Sequence, residues 1–300
     1  MAEHNLQEIH DFMISVAEKA GEMITSAKPS GSNVDLKKNS VDLVTETDQA
    51  VEKLVSTSLK ERYPSFSFMG EETYKPGDLL TDNPTFVVDP IDGTTNFVHG
   101  YPYVSIALGL AIDKLPYIGV VYNPFTRDLY TGITGQGSYY TQNYKTAAQG
   151  PKAKLPFRDP PEPIGGLERC VVCVEWGNDR GPGGDYEVKT KTFANICRNK
   201  GERGGMAHGI RSFGSAALNL CGVASGGLDV YWEAGCWAWD VCAGWCILSE
   251  AGGKVVDANP GNWNPRLDER RYLAVRKGDD QNEVIEQFWN LVDGRLVVGP

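Results

Sequence analysis

A layered α/β fold is what this 300-residue chain predicts, on three observations. Apolar residues recur at helical spacing near the N-terminus. Short β-rich runs follow one another from Phe86 to Thr141, and beyond Gly166 strand-like and helical patterns alternate. Helices followed by an antiparallel meander and then by strand-helix alternation describe sheets covered by helices, not a helical bundle or an all-β sandwich.

The elements follow in order. Residues 4 to 26 place Leu6, Ile9, Met13, Val16, Ala17, Ala20 and Ile24 on one stripe, an amphipathic helix. A second helix is expected after "TETD", with Asp48 at its cap, Val51, Leu54, Val55 and Leu59 on one face, and Tyr63-Pro64 ending it after Arg62. From there the period drops to two: "TFVVD", "YVSIALGLAI", "YIGVVYNP", "DLYTGIT" and "GSYYT" are broken by "DK", "NPFTR" and "GQG", a mostly antiparallel meander. The Pro- and Gly-rich stretch Ala147 to Gly166 is expected to be an exposed connection. After it come strand "CVVCVEW", helices near "YEVKTKTFANICRN" and "SAALNLCGVASGG", strand "LDVYWE", helix "VCAGWCILSEAGG" and strand "KVVDA". The organisation is thus an N-terminal α+β half, 1–146, and a C-terminal α/β half, 147–300, forming one compact unit.

Composition narrows the function. A formal net charge of -10 disfavours a nucleic-acid surface and an anionic lipid surface. No apolar run reaches the roughly 18 residues of a membrane span, and the N-terminus is acidic and amphipathic, unlike a signal peptide, so a cytoplasmic location is expected. Seven cysteines in apolar contexts read as buried free thiols, the Cys170/Cys173 pair included. His4, His10, His99 and His208 have no ligand spacing and read as structural or surface residues, and no G-x-S-x-G elbow or Cys-His pair offers a covalent nucleophile.

The chemistry concentrates in "DPIDGTTNFVHG", Asp89 to Gly100. Coming off a buried strand, the proline fixes φ and the glycine permits a tight turn, so Asp89 and Asp92 can face one point. Two carboxylates held together raise a pKa unless a cation lies between them, which points to a metal. The Ile91 carbonyl between them would add a hard oxygen of the kind Mg²⁺ takes. An Asx turn with a helix cap has the same spelling. Glu71, in "FSFMGEETY", and Asp240, set among tryptophans in "CWAWDVCAGWCI", are further acids of this kind, although an aspartate at a helix start is also an ordinary cap. Together Glu71, Asp89, Asp92 and Asp240 carry four negative charges, which two Mg²⁺ ions would balance.

"GEE", "DPIDGTTNFVHG" and "WDVCAG" followed by "EAGG" resemble the signatures of the inositol monophosphatase family, the Mg²⁺-dependent, lithium-sensitive sugar phosphatases. The similarity extends to "VDLVTETDQAVEK", "HGIRSFGSAALNLC" and "GGLDVYWEAG", most of residues 1–280. The resemblance implies an αβαβα sandwich, a homodimer, and hydrolysis of myo-inositol monophosphates with two or three Mg²⁺ ions. It implies that Glu71, Asp89, Asp92, Asp240 and the Ile91 carbonyl are the ligands, that Thr94 orients the attacking water with Asp48 as its partner, and that Glu71 helps activate that water. By the same resemblance the amides of Gly93, Thr94 and Thr95 hold phosphate oxygens, as helix physics also expects. Asp92 and Asp240 face the substrate, Gly214, Ser215 and Ala216 line its pocket, and Glu233 accepts from ring hydroxyls. Taken alone, Glu233 also reads as a solvated strand end.

Two departures stand out: residues 149–199, with the long "GNDRGPGGD" loop, match the family poorly, and "GCWAWD" is spelled unusually. Rival readings are a 3'(2'),5'-bisphosphate nucleotidase, a fructose-1,6-bisphosphatase-like enzyme, and a non-catalytic module that binds Mg²⁺ or sugar phosphate.

Overall fold

The computed structural model describes residues 4–27, 34–36, 43–182, 184–202 and 204–298. Val41 and Asp42 of "VDLVTETDQAVEK" and Gly183 of the glycine-rich loop lie outside these. The chain opens with helix α1 (Leu6–Ser26), a short ribbon of β1 (Val34–Leu36) and β2 (Leu43–Thr45), and helix α2 (Glu46–Arg62). Helix α1 carries the expected stripe, buried from Ile9 to Ile24, and Asn5 caps it by accepting from the Glu8 amide.

A seven-stranded sheet follows in sequence order: β3 (Ser67–Gly70), β4 (Thr85–Asp92), β5 (Ser105–Ile112), β6 (Leu115–Asn123), β7 (Asp128–Ile133), β8 (Gly137–Thr141) and β9 (Ala153–Lys154). Only β3 against β4 is parallel. The connection after Ala147 is therefore less free than its composition suggested, because Ala153–Lys154 closes the sheet edge and Leu155 is buried. Helix α3 (Thr94–His99) leaves the end of β4.

The second sheet orders as β11 (Gly209–Arg211), β10 (Val171–Val174), β12 (Val230–Ala234), β14 (Arg271–Val275) and β13 (Lys254–Val256). Its first three strands are parallel and the last two join antiparallel. Helices α4 (Asp185–Cys197), α5 (Ala216–Ser225), α6 (Ala238–Glu250) and α7 (Gln281–Trp289) complete the chain. Strand β14 and helix α7 lie beyond the last element read from the sequence.

Three cores define five layers. Helices α1 and α2 cover one face of the large sheet through Phe86, Val88, Ile106 and Leu108. Helices α5 and α6 fill the space between the sheets, where Val87, Ala107 and Val121 meet Leu220, Ile247, Tyr231 and Tyr272. Helix α7 and Ile196 of α4 close the outer face over Val172, Trp232 and Leu273. The order is αβαβα.

Helix α6 lies unusually close to the large sheet. Gly109, Gly119 and Gly132 are register partners on β5, β6 and β7 and form a track with no side chains. A Cβ at Gly119 would stand 2.1 Å from the Ala243 carbonyl oxygen, and one at Gly109 would stand 2.5 Å from Cys242 Sγ. This seat holds α6, and with it Asp240, against the strands that follow β4.

Candidate active site

Asp89 and Asp92 are three residues apart, so in a regular strand they would point to opposite faces. Strand β4 does not stop at Asp89 as the sequence suggested; it runs to Asp92 with a bulge. Asp89 pairs with Ala107 and Asp92 with Ser105, so three steps on β4 answer two on β5. The extra residue restores the alternation and turns both acids toward the layer of α5 and α6. The Asp89 Oδ1 accepts from the Ile91 amide at 3.0 Å, so the Asx turn is present within the pair.

Asp92 is held by the partner layer. Its carboxylate accepts from Ser215 Oγ at 2.5 Å, the Ala216 and Ala217 amides at 3.1 and 2.9 Å, and Ser105 Oγ at 3.3 Å. Ser215 and Ala216, expected to line the substrate pocket, are buried and directed at Asp92. Ser215 also caps α5 by accepting from Leu218. Burial pushes the Asp92 carboxyl up to about 6, against the downward pull of these donors.

Glu71 follows β3, its amide donating to the Val88 carbonyl at 3.2 Å, which sets it beside Asp89. Asp240 lies in the first turn of α6 and accepts from the Trp237 amide at 2.5 Å, so it caps the helix as well as facing the other acids. Burial, Glu71, Asp92 and Asp240 hold the Asp89 carboxyl well above the aspartate range. Burial, Glu71 and Asp92 do the same at Asp240. Repulsion of this kind marks one shared electrostatic site.

Among the described residues no three His, Cys, Asp or Glu side chains close on one point as a preformed cation cage. The donors nevertheless fit a hard divalent cation. They are all oxygens, the groups acting most strongly on Asp89 after burial are all acids, and a cation would relieve the cost that their pKa values register.

Asp48 does not cap α2, which starts two residues earlier at Glu46; it is buried in the first turn. There it stands 3.2 Å from Thr94 Oγ1, which is also 3.1 Å from the Ile91 carbonyl oxygen. Gly93, at φ +94°, is the N-cap of α3, where a Cβ would come within 3.1 Å of the carbonyl oxygens of Tyr103 and Gly214. Thr95 is exposed in the first turn of α3.

Glu233, near the end of β12, accepts from the Tyr231 hydroxyl. Burial first and Glu175 second push its carboxyl up to about 7, with Lys189 opposing. A cluster of rings joins the segments that carry Glu71 and Asp240. Trp237 and Trp239 stack 5.1 Å apart, Tyr74 meets them at 4.9 and 5.1 Å, and the Arg270 guanidinium lies 3.6 Å over Trp237.

The sequence profile of the inositol monophosphatase family matches residues 5–293, including the region 149–199. The chain belongs to the inositol monophosphatase family. Relatives within it include inositol monophosphatase 2 of Saccharomyces cerevisiae, 44% identical and covering 97% of each chain, and human inositol monophosphatase 1, 39% identical and covering 90% of each. The crystal structure of the extragenic suppressor protein SuhB from Bartonella henselae superposes with a TM-score of 0.75 at 28% identity, covering 96% of this chain and all of that one. Membership makes the chain a phosphoric monoester hydrolase. Among the described residues no helix is long and apolar enough to cross a membrane.

Reading from the sequence passed over Glu175, Asn96 and Ser105, and it missed the grip of Ser215 on Asp92. The signal for Glu175 was an acid at the end of an apolar strand, "VVCVEW".

Proposed function

We propose that this phosphatase hydrolyses myo-inositol monophosphates to inositol and inorganic phosphate, with Mg²⁺ as its metal and Li⁺ as an inhibitor. The observation that carries the reading is the bulge in β4, which turns Asp89 and Asp92 to one side, toward Asp240 and Glu71. Glu71, Asp89, Asp92, Asp240 and the Ile91 carbonyl would hold the metal, which when bound polarises a phosphate and lowers the pKa of water. Thr94 has one hydroxyl proton and two acceptors, Asp48 and the Ile91 carbonyl. With the Thr94 hydroxyl donating to Asp48, the Thr94 oxygen is left to accept from the attacking water and orient it. The amides of Gly93, Thr94 and Thr95 meet the phosphate at the start of α3. Gly214 and Glu233 face the sugar ring, and burial with the nearby Glu175 raises the Glu233 carboxyl to about 7. The enzyme is read as a cytoplasmic homodimer whose two halves act as one catalytic unit.

The test is phosphate release from myo-inositol 1-phosphate with Mg²⁺ titrated, on the wild type and on Asp92→Asn. Every partner of Asp92 is a donor, so the variant amide would face N–H or O–H groups and lose a ligand charge. Turnover should fall by several kcal/mol of transition-state stabilisation, about a thousandfold or more. Release indifferent to Asp92 would overturn the site. Turnover confined to 3'-phosphoadenosine 5'-phosphate or fructose 1,6-bisphosphate would move the substrate assignment, and no release from any monoester would leave a binding module.

A further inference from the structure

We propose that Glu175 is a positioning residue of this active site: its carboxylate fixes the 212–214 loop and Asn219, and so presents the start of α5 to Asp92. The inference rests on Asp92 belonging to the site. Glu175 directly follows β10 and is 8% exposed. Its Oε1 accepts from the Phe213 amide at 2.7 Å, the Gly214 amide at 2.8 Å and Asn219 Nδ2 at 2.9 Å. Its Oε2 accepts from Ser212 Oγ at 3.0 Å. These partners flank Ser215, whose hydroxyl and the two amides after it hold Asp92. A buried carboxylate is costly unless its oxygens are satisfied; apart from the weak Cys173 thiol at 3.7 Å, its donors all come from the segment 212–219 that grips Asp92.

The same segment is tied to the other half of the molecule. Asn96 Nδ2 donates to the Phe213 carbonyl at 2.6 Å and to the Tyr103 carbonyl at 2.9 Å, and the Tyr103 hydroxyl donates to Asn219 Oδ1 at 3.2 Å. Phe213 is thus held at its N–H by Glu175 and at its C=O by Asn96. Gly214, at φ +82°, makes the bend that these two anchors require. Asp92 therefore receives three of its four donors from a segment fixed on both sides, and Glu175 is the charged anchor.

Glutamine can keep this geometry. Its oxygen would take the three N–H bonds, and its amide would donate to Ser212 Oγ, whose own proton can go to the Val174 carbonyl at 2.8 Å. The experiment compares Glu175→Ala and Glu175→Gln by kcat, KM and the Mg²⁺-induced rise in Tm. Expected are a fall in kcat of about 10²-fold for alanine, as for a misplacement of about 1 Å, and a smaller Mg²⁺-induced rise in Tm. Glutamine is expected to restore both to within about threefold. Equal losses in the two variants, or an alanine variant with wild-type kcat, would overturn the inference. If the alanine variant fails to fold, Glu175→Asp, one methylene shorter, should show the same kcat loss at near-native Tm; full activity there would also overturn it. Asp92→Asn, run in parallel, separates the two claims. If Asp92→Asn is inactive and Glu175→Ala is fully active, only this inference fails; if Asp92→Asn is active, the site reading itself fails.

Discussion

Adding one methyl group at Gly119 tests the seat of α6. A Cβ there would lie 2.1 Å from the Ala243 carbonyl oxygen and 2.9 Å from its carbon. An ordinary C···O contact is about 3.3 Å, so the helix must withdraw by roughly 1 Å, and backbone cannot rotate away as a side chain can. Overpacking of this kind costs about 1–3 kcal/mol, occasionally more. The restricted unfolded chain returns about 0.4–1 kcal/mol of that. The net loss is about 1–2 kcal/mol, roughly 2–3 °C in Tm for a chain of this length. Asp240 rides on the displaced helix, so turnover should fall by about 10²-fold in protein that remains folded. Gly132→Ala is the control: its nearest neighbour, Ile247 Cα, is 3.1 Å away, and a much smaller loss is expected. Thermal unfolding and phosphate release on both variants make the assay. Gly119→Ala with wild-type Tm and turnover would refute the close seat.

Three further outcomes follow from the site. Ser215→Ala removes a buried hydrogen bond to Asp92 and the α5 cap, and should cost about 1–3 kcal/mol in denaturant unfolding. Lys189→Met leaves the Trp176 and Ala234 carbonyls without the ammonium that now bonds both. It also removes the cation that lowers the Glu233 pKa, so any limb of the kcat/KM pH profile due to Glu233 should move to higher pH. In chelator-treated protein, the folded pKa of Asp92, about 6, lies above its ordinary value, about 3.9. Its contribution to stability is therefore complete below about pH 3.9 and is lost as pH rises through 6, about 1 kcal/mol of it between pH 5 and 7. The Mg²⁺-induced rise in Tm should be larger at pH 7 than at pH 5. His10, whose pKa burial lowers, acts with the opposite sign but lies on α1 and cancels in that difference; an equal or smaller rise at pH 7 would contradict the reasoning.

Periodicity made the layers legible because each helix and strand buries one face: the stripe from Ile9 to Ile24 and the alternation of Phe86 and Val88 with Val87 are visible in the letters. The bulge between Asp89 and Asp92 was not visible, because proline and glycine after a strand spell a turn as readily as an extra residue in a ladder. The acids could be picked out because carboxylates among apolar residues are costly. Their holders could not, because Ser215 reaches Asp92 across 123 residues of chain, Glu175 reaches Ser212 across 37 and Asn96 reaches Phe213 across 117. Asp48 was placed at a cap by its letter alone, whereas the helix begins at Glu46 and turns that carboxylate inward to Thr94.

If Glu71 and Asp240 hold a cation as proposed, the ring cluster of Tyr74, Trp237 and Trp239 under Arg270 would be an optical gauge of its binding. Tyr74 sits three residues after Glu71, and Trp237 three before Asp240, so a change in the spacing of those two carboxylates would alter the contact of Tyr74 with both indoles. Emission depends on that contact and on the charge above the ring. Of the seven tryptophans, these two should brighten or dim as a cation enters, and a variant with both Trp237→Phe and Trp239→Phe should be blind to it. Occupancy could then be followed in real time without substrate, label or turnover.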